Sequence, residues 1–202
     1  GEVTYALEGS IFNAGTAIQW LRDQLGLIQH AGEVEAIAEQ MPDTGGVYLV
    51  PAFTGLGAPY WDATARGILV GLTRDSNRQH IVTAALQSVA YQTRDLIDAM
   101  AKDGQTPAML RVDGGMTVNN WLLQFLADIL GAPVTRPSST ETTALGAAYL
   151  AGLQVGVFKS LQDISQHWAA DRDFAPTMTA EQREGNYAGW VAAVKRARSD
   201  VV

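Results

Sequence analysis

The chain has 202 residues, of which 47% are hydrophobic and 17% charged, a composition typical of one globular domain. Its formal net charge of −7 argues against nucleic acid as a partner, because nucleic acid is bound through a basic face. The apolar runs are too short for membrane insertion, and the absence of cysteine excludes disulfides and is compatible with a cytoplasmic location.

The first half of the chain predicts short strands alternating with helices. Thr4 to Gly9 has strand character, and Ser10 is an N-cap candidate for a helix over Ile11 to Leu25. Gly15 lies inside that helix, where glycine costs about 1 kcal/mol relative to alanine, so it indicates a packing or binding requirement. The elements predicted next are a helix at Val34–Met41, a strand at Val47–Val50, a loop at Pro51–Ala65, a strand at Ile68–Leu72 and a long helix at Arg78–Lys102.

A glycine turn between a strand and a helix is the most informative local feature. Leu110 to Val112 predicts a strand, Asp113-Gly114-Gly115 a turn, and the segment to Leu130 an amphipathic helix. Paired glycines let the backbone approach another group closely, and the free N–H groups of the helix point back at the turn. The pattern fits a loop that binds a phosphate or nucleotide, and equally a tight corner without a ligand.

The remaining elements complete an α/β pattern with a helix-covered sheet and a smaller β-containing part. Ser138 and Glu141 have the spacing of a capping box. The elements predicted here are a strand at Pro133–Arg136, a helix at Glu141–Leu153, a helical turn at Leu161–Gln166, an irregular or extended segment at His167–Phe174 and a helix at Ala180–Arg198.

Few side chains suggest catalysis directly. The histidines are isolated and have no metal-ligand spacing, no Walker-type loop is present, and Gly55-Leu56-Gly57 is weak evidence for a dinucleotide site. Asp113 is either a base or cation ligand or, as we favour, a cap for the glycine turn. Asn119 and Asn120 are unusual so early in a helix, and at least one is expected to hydrogen-bond a group outside it. The loop aromatics, which are either a stacking surface or, more commonly, an anchor for the loop, are Phe53, Tyr60 and Trp61.

Arg66 to Gln87 resembles the second signature of the FGGY carbohydrate kinases. It contains G-x-L-x-G-L and, after a gap, H-I-x-x-A-A-L-Q. Three other segments resemble the members of this family that phosphorylate glycerol: V-Y-L-V-P-A-F-T-G-L-G-A-P-Y-W-D from Val47, A-Y-Q-T-R-D from Ala90 and the D-G-G…N-N turn.

The resemblance implies an actin-like (ribonuclease H-like) ATPase domain of the α/β class. Residues 1–202 would be the C-terminal nucleotide-binding domain, with a small β-containing insertion at about 33–75 and a C-terminal helical extension at 160–202. The first strands of such a domain have no counterpart here, and Tyr5 to Glu8 would be its third strand. The interrupted sheet would expose an unpaired edge. The chain would then recruit a strand from another copy, pair its remaining strands differently, or be a trimmed piece of a longer molecule, and we expect a homo-oligomer.

For function, the resemblance implies phosphoryl transfer from MgATP to glycerol, which gives glycerol 3-phosphate. Gly15 and Gln19 would lie beside ATP or ADP, Gly115 would let the backbone approach the phosphates and ribose, and Asn119 would reach the adenine. The catalytic base and the Mg²⁺ carboxylates belong to the family's other domain, so we expect no catalytic or metal-binding residue here and no activity from the isolated chain.

Two alternatives remain open. One is another FGGY kinase that acts on xylulose or on a polyol such as erythritol, although the G-A-P-Y-W-D run argues against it. The other is a non-catalytic regulatory or assembly module. In some bacterial relatives a segment near the C-terminus binds a regulatory protein, but Pro176 to Arg183 departs from that pattern.

Overall fold

The computed structural model describes residue 3, residues 5–41 and residues 43–199 of the chain. In chain order the helices and strands are α1 (Gly15–Asp23), α2 (Glu33–Glu39), β1 (Tyr48–Val50), β2 (Ile68–Val70), α3 (Arg78–Lys102), β3 (Leu110–Arg111), a 3₁₀ helix (Gly115–Val118), α4 (Asn120–Leu130), β4 (Val134–Pro137), α5 (Thr142–Gln154), α6 (Leu161–Ser165), β5 (Ala170–Phe174) and α7 (Ala180–Ala197). None of the helices described is long and apolar enough to cross a bilayer.

The strands form two small sheets, as expected for an α/β chain with an additional β-containing part. β1 pairs antiparallel with β2, and Tyr48 lies opposite Val70. The second sheet has the order β3-β4-β5, in which β3 and β4 are parallel and β4 and β5 are antiparallel. The segment His167–Phe174, predicted as irregular or extended, therefore supplies an edge strand.

Helix α3 is the central element, and its sequence explains its bounds. The side chain of Asn77 accepts hydrogen bonds from the backbone N–H groups of Gln79 and His80, and His80 completes a capping box with the Asn77 backbone. Such a cap stabilises a helix by about 1 kcal/mol. The predicted limits of this helix are confirmed.

Two buried hydrophobic clusters meet along α3, and this helix contributes side chains to both of them. Leu86 belongs to one cluster and Tyr91 to the other. The first cluster also contains Ile18, Leu21, Val47, Val82 and Leu122, and the second contains Val50, Leu123, Phe174, Trp190 and Val194. Because a fully buried side chain of this size contributes about 1.5–3 kcal/mol, α3 is fixed on both sides.

A buried carboxyl group joins α3 to α7. Asp95 is only 4% exposed, and it accepts hydrogen bonds from the Tyr187 hydroxyl at 2.6 Å and from the Trp190 indole N–H at 2.8 Å. Burial raises the pKa of Asp95, while these two donors oppose that shift. The C-terminal helix is thus held by a polar contact within the core.

The loop aromatics anchor the segment between β1 and β2. The rings of Phe53 and Trp20 lie 5.0 Å apart, and Tyr60 packs against the hydrophobic core. Trp61 is 75% exposed and has a positive φ of 51°. The anchoring interpretation is confirmed for Phe53 and Tyr60.

The N-terminal predictions were wrong. Tyr5 to Glu8 is not a strand, and Thr4 lies outside the described residues. Tyr5 is 90% exposed, and no strand of the described sheets pairs with this segment. Helix α1 begins at Gly15 rather than Ile11, and Ser10 does not cap it.

β3 is an edge strand, and its one neighbour among the described strands is β4. An apolar cavity of about 320 Å³ adjoins β3 and α3, and Leu110, Val89 and Leu126 contribute to its wall.

Another capping prediction was wrong. Glu141 stands at the N-cap position of α5 without a side-chain bond, so Ser138 and Glu141 form no capping box.

Candidate functional site

A cavity of about 340 Å³ lies between α1, α2, α3 and the 3₁₀ helix that follows the glycine turn. Its volume falls in the range of small-molecule sites, about 300–1,000 Å³. The apolar part of its wall includes Ile18, Ala31, Val34, Leu86, Met116 and Val118. Charged side chains are contributed by Arg22 and Glu35. An apolar wall with few polar groups is typical of a site for a planar organic ligand.

All four residues predicted for nucleotide binding line this cavity: Gly15, Gln19, Gly115 and Asn119. Gly15 and Gln19 are four residues apart on α1, so they lie on one face of the helix. Gly115 opens the 3₁₀ helix, and Asn119 ends it. Residues about one hundred positions apart in the sequence thus form one surface.

The paired glycines have different roles. Gly114 has φ 88° and ψ 172°, a backbone conformation that is essentially restricted to glycine. A Cβ on Gly115 would meet no atom within 4 Å, and a Cβ on Gly15 would meet the Met116 sulfur at 3.7 Å, an ordinary contact. Neither Gly15 nor Gly115 is therefore required by the packing of the chain itself. Both leave room at the cavity wall, which is what close approach by a ligand requires.

Asn119 is the N-cap of α4 as well as a cavity residue. Its Oδ1 accepts from the Leu122 N–H at 2.8 Å, and its side chain is 7% exposed. This bond uses the Asn119 oxygen and leaves the amide Nδ2 available as a donor, and Asn119 is among the residues that line the cavity. Asn120 meets the expectation of a partner outside the helix, since its Oδ1 accepts from Arg136 Nη1 at 3.2 Å.

The N–H groups at the start of α4, which were expected from the sequence to be free, already donate hydrogen bonds within the chain. The Glu35 carboxylate accepts from the Asn120 N–H at 2.7 Å and from the Trp121 N–H at 3.4 Å. Together with the Asn119 cap, this occupies the first turn of α4. The interpretation that α4 presents these groups to a phosphate was wrong, and the backbone at the start of the 3₁₀ helix lies at the cavity instead.

Sequence reasoning missed Arg22 and Glu35. Arg22 follows Gln19 at helical spacing, which was an available signal, whereas Glu35 lies 85 residues from Asn120. Arg22 also bonds Asp23, and this side-chain hydrogen bond lowers the pKa of Asp23. Arg22 is the one cationic side chain among the described residues that line the cavity.

The other sequence candidates lie elsewhere. The Thr142 hydroxyl donates to Asp113, so Asp113 links the turn to the start of α5 and does not cap the glycines as we favoured. His80 is a helix cap, and the ring of His167 contacts that of Phe158. Across the described ranges, no three histidine, aspartate or glutamate side chains are grouped to hold a metal ion.

In this α/β chain a glycine turn and the 3₁₀ helix that follows it border an apolar cavity, an arrangement that is typical of nucleotide-binding domains. Residues 1–155 match the C-terminal domain of the FGGY family of carbohydrate kinases. The chain therefore belongs to this family, as its C-terminal domain.

Individual relatives agree with that assignment. The chain is 62% identical over 200 residues to glycerol kinase 1 of Pseudomonas aeruginosa, covering 99% of this chain and 40% of the relative. The crystal structure of Plasmodium falciparum glycerol kinase with ADP superposes with a TM-score of 0.85 at 38% identity, covering 94% of this chain and 38% of that one. The chain thus spans about 40% of the length of the curated relatives it matches.

A more distant similarity supports the fold alone. The xylulose kinase of Rhodospirillum rubrum superposes with a TM-score of 0.78 at 24% identity, covering 93% of this chain and 39% of that chain. The α/β, actin-like fold expected from the sequence is confirmed by these structural relatives.

Proposed function

We propose that this chain is the nucleotide-binding part of an ATP-dependent glycerol kinase. The observation that carries the proposal is that Gly15, Gln19, Gly115 and Asn119 line one cavity of suitable size. The 62% identity to a glycerol kinase and the ADP named with the Plasmodium falciparum structure support nucleotide as the ligand and glycerol as the acceptor. The other kinase specificities are less well supported, since the sequence identity to the xylulose kinase of Rhodospirillum rubrum is only 24%.

Each residue has a role that suits its geometry. The bare backbone at Gly115 lets the phosphate and ribose part of ATP or ADP come close, and Gly15 clears the facing wall. Asn119 donates from its amide to the adenine, while its oxygen keeps α4 capped. Gln19 and Arg22 lie on the same side of α1 and offer an amide and a positive charge at the cavity wall. These groups bind and orient the nucleotide.

Proton removal from glycerol and magnesium binding are assigned outside this chain. The resemblance places the Mg²⁺ carboxylates in the family's other domain, and one or two carboxylates together with the substrate phosphates are enough to hold this ion. Phosphoryl transfer depends on the positioning of both substrates and on charge stabilisation, and one wall of a cleft does not supply these. We therefore propose that glycerol phosphorylation needs the family's other domain.

The domain arrangement remains part of the proposal. We assign residues 33–75 to an insertion and residues 160–202 to a helical extension, and residues 156–202 lie beyond the family match. A homo-oligomer and a cytoplasmic location also stay predictions. Analytical ultracentrifugation of the purified chain tests the first of these, and a purely monomeric chain would contradict it.

Calorimetric titration of the purified 202-residue chain with ADP and ATP tests the binding proposal. Saturable binding that weakens when Gln19 is replaced by leucine is the expected result. Absence of binding, in a chain that unfolds cooperatively, would contradict it. A coupled ADP-release assay with glycerol and MgATP should detect no glycerol-dependent turnover, and measurable turnover would refute the expected inactivity of the chain alone.

A further inference from the structure

A second and larger cavity, of about 670 Å³, shares no lining residue with the cavity of about 340 Å³ proposed for the nucleotide (the nucleotide cavity). It is bounded by β1 and the segment before it, by α3 and α4, and by α7 and the segment that leads into it. Its volume lies within the range of small-molecule sites. Its wall combines aromatic rings with side-chain amides, whereas the described lining of the nucleotide cavity contains no aromatic ring.

The amide of Gln87 is the most informative group in this wall. Gln87 lies on α3 and is only 7% exposed, and its side chain has no hydrogen-bond partner among the described residues. Among the described residues, Thr83 Oγ1 is the one polar side-chain atom that is both shielded from solvent and without a hydrogen-bond partner. The amide atoms of Gln87 are therefore not shielded from solvent, and Gln87 lines the cavity. Because the Gln87 amide reaches the cavity and has no partner in the described chain, its donor and its acceptor are both available to a ligand that carries both kinds of group.

The charge of the wall excludes several ligand classes. Asp43 and Asp128 both contribute, and none of the described lining residues is lysine, arginine or histidine. Asp128 Oδ1 accepts from the N–H groups of Thr177 and Met178, whereas Oδ2 receives one long contact of 3.4 Å from the Thr177 hydroxyl. Phosphorylated or carboxylated ligands would meet like charge here, while a hydroxyl group can donate to the carboxylate.

The aromatic groups provide flat apolar surfaces beside these acceptors. Trp121 and Phe125 stack with an interplanar angle of 7° and a centroid separation of 5.1 Å. Tyr48 and Tyr91 lie in the same wall, with their ring centroids 5.9 Å apart. Ring faces suit the C–H face of a sugar, and amides and carboxylates suit its hydroxyl groups.

We infer that this cavity binds a neutral carbohydrate, a mono- or disaccharide, at a site separate from the nucleotide. Gln87 supplies a donor and an acceptor, Asp128 accepts from a hydroxyl, and the Trp121–Phe125 pair provides the stacking surface. The inference does not depend on the proposed kinase function, because no nucleotide-cavity residue takes part.

Titration of the chain with D-glucose and maltose, followed by calorimetry and saturation-transfer NMR, tests this site. Saturable binding is expected for a neutral sugar, and glucose 6-phosphate should bind at least about tenfold more weakly because it meets two acidic side chains. Q87L should weaken sugar binding by about fivefold or more, through the loss of one hydrogen-bonding group. Q19L, the matched change in the nucleotide cavity, should leave the affinity for sugar unchanged.

Q87L is expected to fold with an unfolding midpoint close to that of the parent chain, since the amide that it removes makes no hydrogen bond to the described part of the chain. Unchanged sugar affinity in folded Q87L, absence of saturable binding, or equal binding of glucose 6-phosphate would each overturn the inference. Should Q87L fail to fold, the parent chain decides: sugar must shift the NMR signals of the Gln87 amide and the Trp121 indole. Repeating the titration with and without ADP separates this result from the outcome for the nucleotide cavity.

Discussion

The substitution of alanine for Gly115 separates binding from folding at the glycine turn. Gly115 has no φ in the left-handed region, and the added Cβ would meet no protein atom within 4 Å. Folding should therefore be unaffected, or be stabilised by about 0.4–1 kcal/mol, because alanine restricts the unfolded chain. The methyl group would occupy cavity space that the proposed nucleotide uses.

The expected loss of affinity follows from that overlap. An extra methyl group in a close-packed contact costs about 1–3 kcal/mol, which corresponds to a roughly 5- to 150-fold weaker dissociation constant for ADP. Isothermal titration with ADP measures the affinity, and urea unfolding followed by circular dichroism measures the stability. G114A should show the opposite pattern and lose about 1–3 kcal/mol of stability, because Gly114 has φ 88° and ψ 172°.

Gly146 provides the matched control. It lies in α5, and a Cβ there also meets nothing within 4 Å, but it does not line the cavity. G146A should stabilise the helix by about 0.5–1 kcal/mol and leave ADP affinity unchanged. If G115A binds ADP as tightly as G146A does, the nucleotide does not approach the backbone at Gly115 and the reasoning fails.

Two further predictions concern stability. D95A should destabilise the fold by about 2–4 kcal/mol in urea titrations, because the Trp190 indole and the Tyr187 hydroxyl of α7 lose their acceptor. D98A removes a half-exposed carboxylate that makes one long contact of 3.4 Å to Arg94, and it should cost about 0.5 kcal/mol or less. Similar losses for both variants would contradict the role of Asp95. The Ser199 backbone N–H lowers the pKa of Asp62 below its ordinary value of 3.8, so the contribution of Asp62 to stability is present above pH 3.8 and is lost as the pH falls through the lower folded-state pKa. D62N should flatten the acid side of the pH–stability curve, and an unchanged curve would show that this contact contributes nothing.

Local sequence signals predicted part of the site well. The turn at Asp113–Gly115 and the long helix α3 both depend on neighbouring residues, so their patterns are readable without the fold. The same reasoning failed at Ser10 and Ser138, because cap-forming residue types occur also where no helix begins beside them. A preference for one local structure does not decide whether tertiary packing will use it.

The sequence by itself determined the α/β class, the family resemblance and four residues that line one cavity. Tertiary structure decided how those residues are used. Glu35 reaches the backbone of Asn120 from 85 positions away and occupies the first turn of α4, so the cavity presents the glycine-turn backbone rather than the helix end. It also decided that Gln87 faces a second cavity without a partner, because hydrogen bonding between distant segments is a property of packing and leaves no periodic signal in the chain.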